Sequence, residues 1–301
     1  MLKNNNIDIF KKYGYLKIND ALEQDLIEQS KKDLEKIKKF CQNKKYNYIR
    51  VYEDYSEKIN IAGIENIFHE SIINQNVVTI LEKSDVINIA KDLLKTEEIV
   101  MTLSRYHITE NISHLGKWHR DGKPGKLESI QLNIYLYDES GFEIVPNSHV
   151  NENSAEENEL LKNSPYAKLT NTQNISSRSC SVLAFHPSFL HRGKSIYRRA
   201  HIHLRFRKKT KLEKEVEIYK GFNSLDNYLM ADETKKVILS SLYFQKNLSP
   251  YHHRSNIKKF CMRKIRILLH KLFFFLPYNS IFYKKLNIIP CLKIRKIFGI
   301  L

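Results

Sequence analysis

The chain has 301 residues, 42% of them hydrophobic with 17 Tyr and 15 Phe, which supplies a core for one large domain or two modest ones and excludes a disordered chain. Its formal net charge of +17 is unevenly held: the 68 residues from Thr234 onward carry 15 of the 50 basic side chains and none of the 33 acids, so residues 1–233 are close to neutral. The four cysteines, Cys41, Cys180, Cys261 and Cys291, are far apart and form no C-x-x-C pair, so neither a zinc knuckle nor a disulfide framework is indicated and a reducing compartment fits best.

The opening residues, M-L-K-N-N-N-I-D-I-F, lack the apolar segment of a secretory signal, and no run reaches the ~20 apolar residues of a membrane-spanning helix, so a cytoplasmic protein is expected. From Asp20 to about Phe40, Leu22, Leu26, Ile27, Leu34 and Ile37 recur at helical spacing, with Asp20 as the predicted N-cap and Glu23 three residues on. A second helix is predicted near Val77 to Leu94. After residue 98 the texture changes to short apolar or alternating runs: I-V-M-T-L-S-R-Y-H-I, E-S-I-Q-L-N-I-Y-L-Y, F-E-I-V-P, S-C-S-V-L-A-F-H and A-H-I-H-L-R-F-R. Helices first, then several strands without regular intervening helices, predict a mainly β fold: an antiparallel sandwich or barrel carrying helical additions.

Between two of these strands lies G-K-W-H-R-D-G-K-P-G-K. In extended backbone, residues i and i+2 face the same way, so His119 and Asp121 converge while Arg120 points away. A third ligand is needed, and V-L-A-F-H-P-S-F-L-H-R-G-K-S ends an apolar strand with His186 and then His191. Two histidines and one carboxylate on one face of a metal form the triad that holds ferrous iron and leaves positions open for a bidentate cosubstrate and oxygen. His201 and His203 are also an i, i+2 pair, but their parity opposes the apolar residues of their strand and they read as surface side chains. His149 is expected to close a turn, and His186 to be a hydrogen-bonded strand-end residue.

The order of features, F-K-K-Y-G-Y-L-K-I, then W-H-R-D, then N-I-Y-L-Y-D-E-S-G-F-E-I-V-P-N-S-H, then H-R-G-K-S followed by R-R-A, resembles the phytanoyl-CoA dioxygenase family from about Phe10 to Phe206. That resemblance implies an iron(II)- and 2-oxoglutarate-dependent oxygenase on a double-stranded β-helix, a jelly-roll or cupin-like core, spanning residues 1–233 with its N-terminal helices. It makes His119, Asp121 and His191 the catalytic iron ligands, and an arginine after His191 the partner of the distal carboxylate of 2-oxoglutarate. A buried carboxylate independently asks for such a fixed bidentate cation. Arg198 and Arg199 both qualify: Arg198 shares the parity of Ala200, Ile202, Leu204 and Phe206 and is the expected ligand if that set faces the barrel interior, with Arg199 as the alternative. Gln131, Asn133, Trp118 and Tyr106 are candidates to line the cosubstrate or substrate pocket. Two departures stand out: Asn147 replaces the family's usual Gly in P-N-S-H, and the spacing from His191 to Arg198 is short. The implied reaction consumes O2 and 2-oxoglutarate, and the presence of Asp121 favours hydroxylation over halogenation.

Residues 234–301 form the basic remainder. In I-K-K-F-C-M-R-K-I-R-I-L-L-H-K-L-F-F-F-L-P, one helical stripe holds Cys261, Ile265, Leu268 and Leu272 and the opposite one Lys259, Arg263, Arg266 and His270. This predicts a basic amphipathic helix, ending near Pro277, that either packs on the barrel with its cationic face in solvent or suits an anionic membrane surface on the cytoplasmic side, the reading that the lack of acids favours. The substrate is expected to be a small molecule, a lipid or a lipid-linked glycan. Readings of other kinds are a non-oxidative metal-dependent barrel enzyme and a membrane-associated binding protein without catalysis. Nucleic acid ranks last, because the tail's cations alternate with aliphatic residues instead of exposed stacking aromatics.

Overall fold

A computed structural model describes residues 2–43, 49, 51–54, 60–109, 114–195, 198–210 and 223–248. They belong to a compact unit of Met1–Glu53 and Asn60–Ser249; a second unit, Asp54–Ile59 with Pro250–Leu301, lies outside them apart from Asp54. The amphipathic tail segment from Ile257 therefore lies outside the described residues. The boundary that charge suggested at Glu233 falls inside a helix, Asp232–Leu248.

The described residues form helices α1 (Asn4–Tyr13), α2 (Gln24–Asn43), α3 (Gln75–Lys83), α4 (Val86–Leu94), α5 (Ala155–Asn163) and α6 (Asp232–Leu248). The strands are β1 (Tyr15–Ile18), β2 (Val51–Asp54), β3 (Asn60–Glu65), β4 (Ile99–Thr109), β5 (His114–Leu115), β6 (Ser129–Tyr135), β7 (Glu139–Ile144), β8 (Gln173–Ser177), β9 (Val182–Phe185), β10 (His191–Ser195) and β11 (Arg199–Lys208). They build a seven-stranded sheet in the order β1-β9-β6-β11-β4-β3-β2 and a four-stranded sheet in the order β5-β10-β7-β8. All named pairings are antiparallel, as the mainly β expectation required.

Period-2 alternation gives the large sheet two different faces. One carries Ile130, Leu132 and Ile134 of β6, Val182 and Ala184 of β9, and Ala200, Ile202, Leu204 and Phe206 of β11, and joins the main core with Ile27, Leu34 and Ile37 of α2, Ile80 and Leu81 of α3 and Ile89 and Leu93 of α4. Helix α6 covers the same face, where Ser240 Oγ accepts from Met101 N at 3.0 Å. The opposite face turns Tyr135, Leu183 and Phe185 toward Phe142, Ile144 and Ile175 of the small sheet, and this is the barrel interior.

Local expectations met mixed outcomes. Asp20 is not an N-cap: α2 starts at Gln24 and Asp20 has a φ of 51°. The helix expected from Val77 to Leu94 is two, broken where Asp85 takes a φ of 54°, and α3 is capped by Asn74, whose side chain accepts from Val77 N at 3.0 Å. Asn147 has a φ of 60°, the left-handed turn its side chain tolerates.

Strand β7 shifts register between Glu139 and Phe142, and a Cβ added at Gly141 would sit 1.2 Å from the Lys194 carbonyl oxygen of β10. Gly141→Ala must push those strands apart and is expected to lose ~3 kcal/mol in urea denaturation. Gly125→Ala, at a φ of 90° but with nothing within 4 Å of the new Cβ, is expected to lose only ~1 kcal/mol.

Candidate metal centre

The first residue of β10 and the loop before β6 are bridged by a reciprocal backbone pair, His119 N to His191 O and His191 N to His119 O, both 3.0 Å. This brings the two rings to 4.3 Å between centroids. His191 Nδ1 lies 2.8 Å from Phe189 O and His119 Nδ1 lies 2.9 Å from Lys117 O. A carbonyl only accepts, so each Nδ1 carries the hydrogen and each Nε2 lone pair is left for a ligand. Asp121 is anchored by its own N–H to Pro187 O at 2.8 Å. Its Oδ2 accepts from Gln131 Nε2 at 2.7 Å, and lies 3.1 Å from Arg205 Nη2 and 3.9 Å from His191 Nε2.

One ligand atom from each of His119, Asp121 and His191 lies within 4.8 Å of the others, and no other such group occurs among the described residues. Burial works to raise the Asp121 carboxyl, but the charge of Arg205 and the neighbouring histidine His191 outweigh it and hold it below its usual range. Burial, aided by His119, drops His191 to about 4. At neutral pH the set is therefore a carboxylate and an uncharged buried imidazole beside His119, the deprotonated donors a metal requires. His191 is buried while His119 and Asp121 are exposed, so the group opens on one side. Two imidazoles and a carboxylate with an open face fit ferrous iron by donor chemistry.

The barrel interior beside this group is polar. Gln131 and Asn133 are buried on the inward face of β6, where Gln131 holds Asp121 as just described. Gln131 Oε1, Asn133 Oδ1, Tyr135 Oη and His203 Nε2 are buried without a hydrogen-bond partner. Orphans of this kind are rare in a finished interior and mark space that a polar ligand or water completes. Arg199 is 4% exposed, and its guanidinium lies against the bare Cα of Gly193, where a Cβ would come within 2.3 Å of Nη2. Gly193 stands two residues past His191 on the same strand.

Strand parity is the main correction. The apolar set of β11 faces the helices, not the barrel, so Arg198 lies on the helical side, ion-paired to Glu35 of α2 and 5.1 Å from the Tyr137 ring. Arg199 is the inward arginine. By the same parity His201 and His203, expected at the surface, are buried at 5% and 4% exposure, and Tyr106 is in the core under the helices. His149 lies in the 146–150 turn, and His186 Nδ1 meets the Ser188 hydroxyl at 2.6 Å, as expected of them. Sequence reasoning missed Arg205 and Glu139; the signal for Arg205 was its parity with Arg199.

Behind the two histidines is a second contact. Arg192, next to His191, stacks on Trp118, next to His119, at 4.4 Å from the ring. Its Nε donates to Glu143 Oε2 at 2.6 Å and its Nη1 to Tyr166 O at 3.0 Å, while Trp118 Nε1 donates to Ala167 O at 2.8 Å.

His186 and His191 are each held near 4 by burial, against an ordinary value of 6.5. Between those values the unfolded chain binds protons that the folded chain refuses, so stability falls as pH drops through the window. Urea denaturation of metal-free protein should show a loss of about 2 kcal/mol per histidine between pH 7 and 5. His186→Gln should remove its share of that slope.

No family model matches the chain, and no curated protein matches it. Solved structures do. AviO1 from Streptomyces viridochromogenes Tue57 is 18% identical, with a TM-score of 0.54 over 68% of this chain and 95% of that one. EctD from S. alaskensis, solved with 2-oxoglutarate and 5-hydroxyectoine, is 16% identical at a TM-score of 0.53 over 69% and 76%. HygX from Streptomyces hygroscopicus, solved with nickel and 2-oxoglutarate bound, is 13% identical at 0.52 over 69% and 88%. At these identities the likeness establishes the fold, the double-stranded β-helix that also serves 2-oxoglutarate-dependent oxygenases, in agreement with the architecture the phytanoyl-CoA dioxygenase resemblance implied.

Proposed function

We propose that the chain is a non-haem iron(II)- and 2-oxoglutarate-dependent oxygenase that hydroxylates a small-molecule, lipid or lipid-linked glycan substrate. The observation that carries this reading is the convergence of His119, Asp121 and His191 with Arg199 lodged under Gly193 on the same wall of the barrel. His119, Asp121 and His191 would hold iron(II), and Arg199 the distal carboxylate of 2-oxoglutarate. When bound, the metal and cosubstrate supply the oxidation: O2 and the keto acid yield succinate and carbon dioxide, and a substrate C–H becomes C–OH.

The protein's own part is positioning and exclusion of water. The two Nδ1–H bonds to backbone carbonyls fix both ring orientations. Gln131 and Arg205 keep the Asp121 carboxylate from rotating away. Phe142 and Phe185 flank His191 with their rings 5.4 Å and 5.6 Å from its own, in an apolar cluster that also holds Phe189. Asn133 and Tyr135 supply the unpaired polar atoms that a bound keto acid or its water would satisfy.

Anaerobic titration with ferrous ion tests the centre: one ion should bind, and His119→Ala or His191→Ala should abolish binding, since two ligands leave a weak site. Unchanged affinity in both variants removes the triad. Arg199→Lys should weaken 2-oxoglutarate binding about tenfold to a hundredfold, or ~1.4 to 3 kcal/mol, as a bidentate contact becomes a point contact. Arg198→Lys, on the helical side, should change it little.

We also propose that residues 250–301 seat the protein on an anionic membrane surface. The absence of acids after Glu233 and the alternation of cations with bulky apolar residues support this, at ~1 kcal/mol per cation near the headgroups. No helix among the described residues is long and apolar enough to cross a membrane. The full chain should sediment with anionic vesicles, less with neutral ones or in high salt, and a version ending at Ser249 should stay in solution. Equal partitioning of the two versions removes the membrane role.

A further inference from the structure

Arg199 is already occupied. Its Nη1 donates to Glu139 Oε1, its Nε donates to Thr109 Oγ1 at 3.2 Å, and its Nη2 lies 3.3 Å from His107 Nε2. Glu139 opens β7 and is 4% exposed. Its other oxygen, Oε2, faces His201 Nδ1 at 3.5 Å, and both atoms are buried without a hydrogen-bond partner. The guanidinium is thus shared with a resident carboxylate, which itself has an unfilled hydrogen-bonding position toward a histidine.

We propose that Glu139 is a built-in occupant of the Arg199 subsite, and that 2-oxoglutarate enters that subsite together with one proton, taken up by the Glu139–His201 pair. The proposal rests on the reading of the site as 2-oxoglutarate-dependent. In the empty state the charges of Arg199 and Glu139 cancel. Burial works to protonate Glu139, but the Arg199 guanidinium outweighs it and holds the carboxyl below its usual range. Burial likewise keeps His201 below its ordinary value, against the pull of Glu139. The pair therefore holds one proton, on the imidazole.

A second carboxylate on the same buried guanidinium would leave two like charges sharing one cation away from water. Such a pair does not stay doubly ionised. One added proton restores neutrality: buffer acid gives it up and it forms a new N–H or O–H bond on the pair, which then holds two. Which atom carries it is a property of the coupled pair.

The other groups facing Glu139 do not supply that proton. Tyr135 on β6 has a phenol raised by burial, and His107 on β4 is pushed well below its ordinary value by burial and by Arg199. Ser177, its cross-strand neighbour on β8, is uncharged. On its outer side Glu139 borders a cleft of about 540 Å³ whose other charges, Lys17, Arg178, Asp20 and Asp138, balance.

The test is calorimetric titration of 2-oxoglutarate into the nickel(II)-loaded full chain, between pH 6 and 8.5, in buffers of different ionisation heat. Preloading the metal removes the ligand histidines from the proton count, and 2-oxoglutarate is fully ionised throughout. The wild type should take up about one proton per cosubstrate, with Kd rising up to about tenfold per pH unit where uptake is complete. Glu139→Gln should bind with no proton uptake, without that pH slope, and at least about tenfold more tightly at pH 8. Tight wild-type binding with no proton exchange overturns the proposal and leaves the 2-oxoglutarate reading standing. So does a Glu139→Gln variant that keeps the slope or binds more weakly at every pH, as a merely structural brace would. Absence of 2-oxoglutarate binding at any pH overturns both. If Glu139→Gln does not fold, the wild-type proton count decides alone.

Discussion

Along β11 each step of the backbone turns a side chain from one face of the sheet to the other, so that Leu204 is sealed beneath helices while its neighbours His203 and Arg205 stand inside the barrel. The same alternation runs through β6, β9 and β4, which flank β11 or each other in one sheet. Register cannot slip by one residue without exchanging the oily face for the polar one, and burying Arg199, His201 and His203 among the leucines and isoleucines would cost far more than any local contact returns. The long antiparallel pairing of β11 with β4 and β6 therefore fixes the chemistry of the barrel as much as its shape.

That separation leaves an unusual interior for a small barrel. Its aromatic and aliphatic side, Phe142, Ile144, Ile175, Leu183 and Phe185, is close-packed, while the other side is a polar network of amides, imidazoles and guanidinium groups that is only partly satisfied. Buried polar networks short of partners are costly in a finished core and suit a site that a ligand completes. The charges are arranged in sequence along β11: Arg205 with Asp121, then the imidazoles of His203 and His201, then Arg199 with Glu139.

Much of this was legible in the sequence, and what was not has identifiable causes. His119 and Asp121 were readable because an extended i, i+2 pair needs only local geometry, and the left-handed turn at Asn147 because its side chain suits that conformation. The orientations of Arg198 and Arg199 are reversed from the expected ones because a barrel was assumed to be apolar inside; here the apolar stripe of β11 serves the helix layer, and sequence alternation alone does not say which face meets which. The same assumption put His201 and His203 on the surface. The break at Asp85 and the late start of α2 past Asp20 were not visible, since propensity ran unbroken through both. Glu139, at the start of a strand in an otherwise unremarkable D-E-S-G, gave no signal because its meaning comes from residues 60 and more positions away.

The stack of Arg192 on Trp118 has a bearing on how the site would treat different ions. Each partner is the immediate chain neighbour of a candidate ligand histidine, so the two segments are bolted to one another by this stack as well as by the backbone bridge between His119 and His191. Two fastenings make a rigid template. An ion bound there would meet donors at preset spacing without gathering them, so selection among metals would fall to how well each tolerates that fixed geometry, and exchange of one ion for another would leave the frame of the barrel unmoved.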